Sequence, residues 1–399
     1  MPPFPKKLHI IFRLPKVLHL HDNIGQENGG GIEVYLKELM ALLPNHYWIG
    51  IRFSFPFLHL SEFQKEWNQK VILNKFSKIL YQFVQNRGIK IIHLHGVFHL
   101  EILKRLPNKI PIIRSFHDLR FTCPGYGKYW YSTDQTCQSA CGFSCYYLVF
   151  KEKCGSRNPW IISQNLRRIR LERKLMLNRY SKIIVMSGFV KYELQKLGIP
   201  DSKIIIVRYF SRFRPVYPFK TKDPPYKILW VGRISKTKGI AYFLELAKSV
   251  QNKFPNRFSF EIIGDGIDRK TLDFSNVVYH GWQSKAQLLG HFRESFLLVF
   301  TSIYPEAFGL VGIEALSQGV PVLAFDVGGV KDWLKNGVNG FLFNKKNISS
   351  MERTVFYLSE NPEKYIELCQ SIFEKQRNKN SLTTHLNQLK YVYIQLITD

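Results

Sequence analysis

Two glutamates flank a glycine that begins a predicted helix, and residues of these types can bind a phosphorylated sugar. Glu306 and Glu314 are separated by seven residues, and Gly309, Leu310 and Val311 place main-chain N–H groups between them. N–H groups at the start of a helix bind phosphate, and carboxylates accept hydrogen bonds from sugar hydroxyls. The segment therefore predicts a site for a sugar nucleotide.

Two cations lie in another segment of the same half. Arg233 ends a predicted strand over 226–233, and Lys238 precedes a predicted helix that begins at Gly239. Arginine offers a planar fork for bidentate phosphate binding, and lysine offers a compact charge. The pair is expected to orient and neutralise a leaving diphosphate. The alternative is two surface cations at the end of a strand.

The first half carries a glycine loop and a histidine that are expected to face the same ligand. Gly30 and Gly31 lie between a predicted strand over 16–21 and a helix, so they can also present N–H groups. His117 ends an apolar strand over 111–118, where its side chain or its carbonyl can enter a cleft.

Other polar residues near strand ends have a structural interpretation as well as a functional one. His93, His95 and His99 lie on a predicted strand over 90–96 and at its exit, and we expect core or cleft-lining positions for them. Ser187 ends a further strand, and the sequence leaves open whether it contacts an acceptor or caps the next helix.

Predicted strands and helices alternate along the chain, which is typical of parallel sheets covered on both faces. A helix is predicted over 62–87, and the prolines of 211–226 predict a linker. The predicted fold class is α/β, with two Rossmann-like domains facing each other across a cleft. The expected division is a first domain over 1–212, a second domain over 213–380, and a C-terminal helix over 381–399 that packs back on the first domain.

The second half resembles the donor domain of the retaining glycosyltransferases of the GT-B fold, family four type. The motifs that carry the resemblance lie at 231–239, 262–266 (with Gly264), 305–322 and 336–343, and in the first half at 30–39 and 116–124. After the strand over 203–207, where relatives usually have an asparagine, this chain continues with Arg208, Tyr209 and Phe210.

The resemblance implies a role for each matched residue. Glu306 is expected to contact the donor sugar near its reacting carbon, Glu314 the ribose hydroxyls, and His117 the donor sugar. Retention implies front-face attack, with the leaving phosphate taking the proton of the acceptor. No cofactor is expected for catalysis, because the chain lacks the Asp-Xaa-Asp pair of metal-dependent transferases and Arg233 with Lys238 meets the diphosphate. The donor is expected to be a UDP- or GDP-sugar.

Five cysteines cluster in a segment over 120–156 that is predicted to be an insertion on the acceptor side. Their spacing predicts a structural zinc or iron–sulfur site, while disulfides and unbridged thiols remain open. The cluster comprises Cys123, Cys137, Cys141, Cys145 and Cys154.

The net charge of +27 is concentrated in the first half, where residues 1–218 carry 34 lysines and arginines against 13 carboxylates. The basic residues are densest over 163–180, where they alternate with apolar residues. An anionic membrane surface is the preferred partner, a solvated helix face is the alternative, and nucleic acid is disfavoured because no basic groove interleaved with aromatics is evident.

The short apolar stretch within residues 1–15 is broken by Arg13 and Pro15, so no signal peptide is predicted. The expected location is cytoplasmic, with peripheral attachment to the inner face of the membrane.

The predicted function is retaining transfer of a sugar to a lipid-linked or cell-surface glycan precursor. A sugar-nucleotide epimerase of related architecture and a non-catalytic protein that binds nucleic acid or anionic glycan are the alternatives.

Overall fold

A computed structural model describes residues 15–22, 31–54, 57–62, 67–96, 99–216, 223–379 and 381–398. Gly30 and the basic N-terminal extension therefore lie outside the described residues.

The first half forms a sheet whose central strands are parallel. Its strands are β1 (Val17–Asp22), β2 (Tyr47–Ser54), β3 (Phe57–Glu62), β4 (Trp67–Ile72), β5 (Ile91–Leu94), β6 (Ile112–Phe116), β7 (Tyr129–Trp130), β8 (Gln135–Thr136), β9 (Lys182–Val185) and β10 (Ile204–Ile206). Eight of them form one sheet in the order β10-β9-β6-β5-β1-β2-β3-β4, whereas β7 and β8 pair with each other. The central strands β5 and β6 are buried throughout, including the polar side chains of His93, Arg114 and Ser115, as strands in a parallel sheet covered on both faces should be.

The second half forms a smaller sheet in which all neighbouring strands are parallel. Its strands are β11 (Tyr226–Val231), β12 (Phe258–Ile263), β13 (Val278–Tyr279), β14 (Leu297–Phe300), β15 (Val322–Phe325) and β16 (Gly340–Phe343). They follow the order β13-β12-β11-β14-β15-β16. The prediction of an α/β protein with two Rossmann-like halves is confirmed.

Helices connect the strands and cover the sheets. Within the described residues they are α1 (Gly31–Leu42), α2 (Phe76–Arg87), α3 (Leu100–Leu103), α4 (Ser144–Lys151), α5 (Pro159–Asn178), α6 (Gly188–Lys196), α7 (Ile240–Lys253), α8 (Lys285–Glu294), α9 (Leu310–Ser317), α10 (Ile348–Glu360), α11 (Pro362–Lys379) and α12 (Leu382–Thr398).

The helix predicted over 62–87 is wrong in its first part. Trp67–Ile72 form β4, which pairs antiparallel with β3, and α2 begins only at Phe76. Apolar spacing in this stretch fits a helix, but Trp, Val and Ile also favour strands. Pairing with β4 satisfies main-chain groups of β3 that an edge strand would leave exposed.

The two halves contact each other at several points. Their shared hydrophobic core includes Leu36 of α1 and Phe308 of the second half. The Gly188 N–H at the start of α6 donates to the Asp332 carboxylate at 3.0 Å, and Lys285 forms a 2.6 Å ion pair with Glu38.

Helix α12 returns to the first half. The Tyr393 hydroxyl lies 2.8 Å from Nδ1 of His93 on β5, and the Tyr35 hydroxyl lies 3.0 Å from Nε2 of His385. The other ring nitrogen of His385 donates to the Arg208 carbonyl at 2.7 Å. No helix in the described part of the chain is both long and apolar enough to cross a membrane.

Candidate functional site

The acid predicted to contact the sugar is paired with the cation predicted to contact phosphate. Lys238 closes a short 3-10 turn, and its Nζ lies 2.6 Å from Oε1 of Glu306. Gly239 ends this turn with φ 68°, and a Cβ there would lie 1.8 Å from the Thr301 carbonyl oxygen. Only glycine allows the chain to turn so close to the end of β14, and this close approach fixes the main chain next to Lys238.

The loop that carries Glu306 rests on two glycines that the sequence did not single out. Gly328 has φ 54°, and a Cβ there would lie 2.2 Å from the Glu306 carbonyl oxygen. The Gly329 N–H donates to that same oxygen at 2.7 Å. These contacts fix the main chain of Glu306. A glycine pair separated from the end of β15 by two residues was the available signal, but its meaning depends on a tertiary contact.

The starts of α9 and α1 face each other across the cleft. Gly309 precedes α9 with φ 98°, and a Cβ added to Gly31 would lie 3.1 Å from Cδ1 of Leu310. N–H groups of Leu310 and Val311 and the start of α1 therefore border one narrow space. The predicted juxtaposition of Gly31 with the α9 start is present, and Gly30 lies outside the described residues.

Arg233 and Gly264 lie on adjacent turns that follow β11 and β12. Gly264 has φ 129°, and a Cβ there would lie 1.8 Å from the Gly232 carbonyl oxygen. Arg233 is exposed. The structure therefore leaves the Arg233 guanidinium accessible next to a turn that can be this tight only because Gly264 has no side chain.

Glu314 is buried inside α9, and its carboxylate pairs with a residue that sequence reasoning missed. The Arg212 guanidinium Nε lies 2.7 Å from Oε1 of Glu314. Burial raises the pKa of the Glu314 carboxyl, although the charge of Arg212 opposes that increase. Arg212 belongs to the predicted linker, which offers no periodicity from which this contact could be inferred.

His117 belongs to a chain of buried, hydrogen-bonded side chains that begins at Tyr209 and ends at His46. The Tyr209 hydroxyl lies 2.6 Å from Nδ1 of His117, whose Nε2 lies 3.2 Å from Nδ1 of His95. Nε2 of His95 lies 2.9 Å from Nδ1 of His19, and Nε2 of His19 lies 2.9 Å from Nδ1 of His46. Both ring nitrogens of His117 are thus occupied.

The two ends of this chain decide the direction of its hydrogen bonds. Burial lowers the pKa of all four histidines, to about 4 for His46, so each neutral ring donates once and accepts once. If Tyr209 donates to His117, every ring carries its proton on Nε2, and one N–H, that of His46, lacks a partner in the described structure. Among the described residues, the opposite direction leaves two groups without a partner, the lone pair on His46 Nε2 and the Tyr209 hydroxyl proton. The first direction therefore satisfies more groups.

Two further polar candidates, His93 and Ser187, make structural contacts. His93 bonds to Ser115 at 2.7 Å in the buried core. Ser187 caps α6 by accepting from the Val190 N–H at 3.2 Å, and it donates to the Ala307 carbonyl at 2.6 Å. Ser187 therefore joins the first half to the residue after Glu306.

The cysteine-bearing segment packs around one short hairpin and α4. All five cysteines are unbridged, and no three ligand atoms among the described cysteines lie within 4.8 Å of one another. Sulfurs around a tetrahedral zinc ion lie about 3.8 Å apart. The side chains as placed do not form such a tetrahedron, and the metal site stays a prediction.

The same segment reaches the second half of the chain. The Tyr304 hydroxyl donates to the Tyr126 carbonyl at 3.3 Å, and Lys346 forms a 2.7 Å ion pair with Asp134. The insertion therefore borders the domain that carries Glu306 as well as its own.

Two family models match the chain. Residues 62–208 match the model described as Glycosyltransferase Family 4, and residues 214–379 match Glycosyl transferases group 1. Together these matches cover more than three quarters of the chain.

Two curated relatives match parts of the chain. A 41.2 kDa uncharacterized protein in the cps region of Klebsiella pneumoniae is 28% identical over 52% of this chain and 61% of its own length. The alpha-D-kanosaminyltransferase of Streptomyces kanamyceticus is 26% identical over 42% of this chain and 45% of its own length. The chain thus spans about half the length of the curated relatives it matches.

Solved structures share the fold over nearly the whole chain. TarM superposes with a TM-score of 0.66 at 13% identity, over 96% of this chain and 99% of TarM. Alr3699/HepE of Anabaena, solved in complex with UDP, superposes with a TM-score of 0.64 at 16% identity, over 95% of this chain and all of that one.

Proposed function

Because the chain belongs to the GT-B glycosyltransferases of the group 1 and family 4 type, we propose that it transfers a sugar from a nucleoside-diphosphate sugar to a hydroxyl group with retention of anomeric configuration. The observation that carries this proposal is the 2.6 Å pair between Lys238 and Glu306, which lies in the loop before α9. This pair brings together a group proposed to bind phosphate and a group proposed to bind the sugar.

The chemistry follows from where charge develops. As the bond from the anomeric carbon to the diphosphate oxygen breaks, the sugar becomes positive and the diphosphate takes the electron pair. Lys238, Arg233 and the N–H groups of Leu310 and Val311 stabilise the departing diphosphate. Glu306 stabilises the positive sugar. The acceptor oxygen bonds to the anomeric carbon on the same face, and its proton passes to a phosphate oxygen.

Recognition of the nucleoside part is assigned to Glu314. Glu314 lies in α9, and Arg212 positions its carboxylate. A carboxylate that accepts hydrogen bonds from vicinal hydroxyls discriminates against ligands that lack those hydroxyls. Alr3699/HepE was solved with UDP, and this fold neighbour supports a nucleotide-sugar donor. We propose a UDP- or GDP-sugar.

His117 is proposed to contact the donor sugar through its main-chain carbonyl. Both of its ring nitrogens have partners inside the protein, Tyr209 and His95. A side-chain contact with the sugar would require one of those two buried hydrogen bonds to break, which costs about 1–3 kcal/mol.

A surface on α4 and α5 supports the proposal that the acceptor is located at a membrane. We call it the aromatic–basic face. Its exposed apolar members include Phe143, 78% exposed, and Trp160, 66% exposed. Arg170 lies over the Phe143 ring at 5.4 Å, and Lys151 lies over the Tyr147 ring at 5.9 Å. We define the face as the following exposed residues between 143 and 170: Phe143, Tyr147, Lys151, Lys153, Arg157, Trp160, Ile161, Arg167 and Arg170.

Exposed aromatics next to cations are suited to a membrane interface, where rings enter the headgroup region and cations meet anionic lipid. The acceptor is therefore proposed to be a lipid-linked or surface-glycan precursor at the cytoplasmic face of a membrane. Sedimentation with phosphatidylglycerol vesicles tests this part, with phosphatidylcholine vesicles for comparison. Phe143→Ser combined with Trp160→Ser should reduce sedimentation with anionic vesicles, and Tyr357→Ser on α10 should not. If the wild type, the double variant and Tyr357→Ser sediment equally with anionic vesicles, the membrane assignment is refuted.

The proposed reaction is tested with a panel of nucleotide sugars. A cognate donor well above its dissociation constant should raise the melting temperature, since ligand at about 100 times that constant adds about 2.7 kcal/mol. The stabilising donor is then incubated with glycolipid acceptors, and the anomeric configuration of the product is read by NMR. A product formed without acceptor would instead indicate an epimerase, and no stabilisation by any nucleotide sugar would refute the proposal.

A further inference from the structure

Three side chains that are typical metal ligands converge at one edge of the second sheet. Glu261 lies on β12, His280 directly follows β13, and His291 lies on α8. Oε2 of Glu261 is 2.9 Å from Nε2 of His280 and 3.2 Å from Nδ1 of His291. All three ligand atoms lie within 4.8 Å of one another.

The carboxylate is held in place by a fourth residue. Lys227 Nζ lies 2.9 Å from Oε1 of Glu261, the oxygen that the histidines do not contact. An outer-shell side chain that bonds to the atom of a metal ligand facing away from the ion orients that ligand toward the ion. Lys227 therefore leaves Oε2 and the two imidazoles pointing to one place.

The spacing suits a tetrahedral ion. Ligands about 2.0–2.1 Å from zinc lie about 3.3 Å apart, close to the measured 2.9 and 3.2 Å. The histidines are partly exposed, 26% for His280 and 17% for His291, so solvent can supply a fourth ligand. We infer that Glu261, His280 and His291 bind a zinc-type divalent cation, a structural site separate from the proposed transfer chemistry.

Binding needs only a change of tautomer in each ring. Both imidazoles present an N–H to Glu261, and each must move that proton to its other ring nitrogen so that the facing one can bind the metal. The partial exposure of both rings allows this exchange with water. Ring nitrogens of the buried residues His19, His93 and His95 also lie within 4.8 Å of one another. Both ring nitrogens of each of these histidines already have partners, however.

The ion would join three elements next to the proposed donor site. Gly281, directly after His280, accepts a 2.8 Å hydrogen bond from the Gly264 N–H. A metal bound to His280 would therefore stiffen the turn that supports Gly264. The inference does not depend on the proposed function, because metal affinity is measured without any sugar nucleotide.

Cobalt titration of the full chain, stripped of metal with a chelator, tests the inference and separates this site from the cysteines. We expect one bound cobalt per chain whose spectrum lacks thiolate charge-transfer absorption and which zinc displaces. His291→Gln, and His280→Gln separately, should weaken this binding more than the about 10–100-fold typical of losing an outer-shell partner.

The control is Cys141→Ser combined with Cys145→Ser, which should retain this cobalt. Circular dichroism of the metal-free histidine variants shows whether they fold like the wild type, as expected for substitutions of partly exposed side chains. Absence of a histidine-type cobalt in the wild type, or its persistence in the variant carrying both histidine substitutions, would overturn the inference. A cobalt bound only through thiolates would do the same.

Discussion

At the scale of single residues, the site depends on partners that lie far apart in the sequence. Lys238 and Glu306 were each predicted to meet the donor, and the structure joins them at 2.6 Å. The partner of Glu314, Arg212, was not predicted. Residue type and local spacing identify which side chains can bind phosphate or sugar, but a salt bridge between a linker and a helix appears only after folding.

The histidine chain gives a prediction at this scale. NMR of the protein with 15N-labelled histidines should show His19, His46, His95 and His117 all protonated on Nε2 at neutral pH, because this direction leaves the fewest groups unpaired. Tyr209→Phe, which removes the donor to His117, serves to assign the His117 signal. Protonation on Nδ1 at any of the four rings would show that the chain runs in the other direction or is interrupted.

At the scale of elements, the start of α9 is positioned by close packing against Trp333. The Trp333 indole N–H donates to the Phe308 carbonyl at 2.5 Å, and a Cβ on Gly312 would lie 2.0 Å from the Trp333 ring. A glycine in the first turn of α9 thus allows the ring to lie against the helix that is proposed to bind phosphate.

Gly312→Ala should therefore destabilise the protein, by about 1–3 kcal/mol, the usual cost of overpacking. Gly290→Ala is the matched control, because Gly290 lies inside α8 with nothing within 4 Å of an added Cβ. There the change should stabilise the protein by about 0.5–1 kcal/mol. Urea unfolding measures both, and equal effects from the two substitutions would contradict the packing assigned to Trp333.

Elements were predictable where one pattern dominated. The apolar residues that begin β6 and fill most of β9, and the glycine before α9, indicated their elements directly. The stretch over 62–87 was misassigned because its apolar spacing fits a helix and its residue types also suit β4. The fixed main chain of Glu306 escaped prediction since Gly328 and Gly329 act on it from a different loop.

At the scale of the whole molecule, buried neutral histidines make stability depend on pH. Burial lowers the pKa of His93 to about 3 and of His46 and His385 to about 4, and it also lowers the pKa of His19, His95 and His117. In the unfolded chain each titrates near its ordinary value of about 6.5. Between these values the unfolded chain binds more protons, so stability is greatest above about pH 6.5 and falls as the pH approaches 4.

The expected loss is about 1.4 kcal/mol per histidine for each pH unit below about 6.5. Glu314 opposes this trend, because burial raises the pKa of its carboxyl. The free energy of unfolding, measured with urea at pH 7.5 and pH 5.5, should be lower at pH 5.5 by several kcal/mol. A free energy that is equal or higher at pH 5.5 would show that the histidines do not stay neutral in the folded state.

The proposed reaction requires the cleft between the two halves, because groups from both halves are proposed to contact the donor there. It is bordered by the facing starts of α1 and α9, by the Ser187 contact with Ala307 at 2.6 Å, and by the insertion at Tyr304. Sequence patterns predicted two domains and the donor half of the site, but they could not predict that the insertion reaches the donor domain.

The central claim is that Lys238 and Glu306 together act on the diphosphate and the sugar. Release of nucleoside diphosphate from the stabilising donor and acceptor measures it most directly, in wild type, Lys238→Ala, Glu306→Ala and the control Lys248→Ala on α7. We predict that both site variants lose about 100–1,000-fold in turnover, the range for removing one group that stabilises developing charge, and that Lys248→Ala keeps it. Undiminished turnover in Lys238→Ala or in Glu306→Ala would contradict the account.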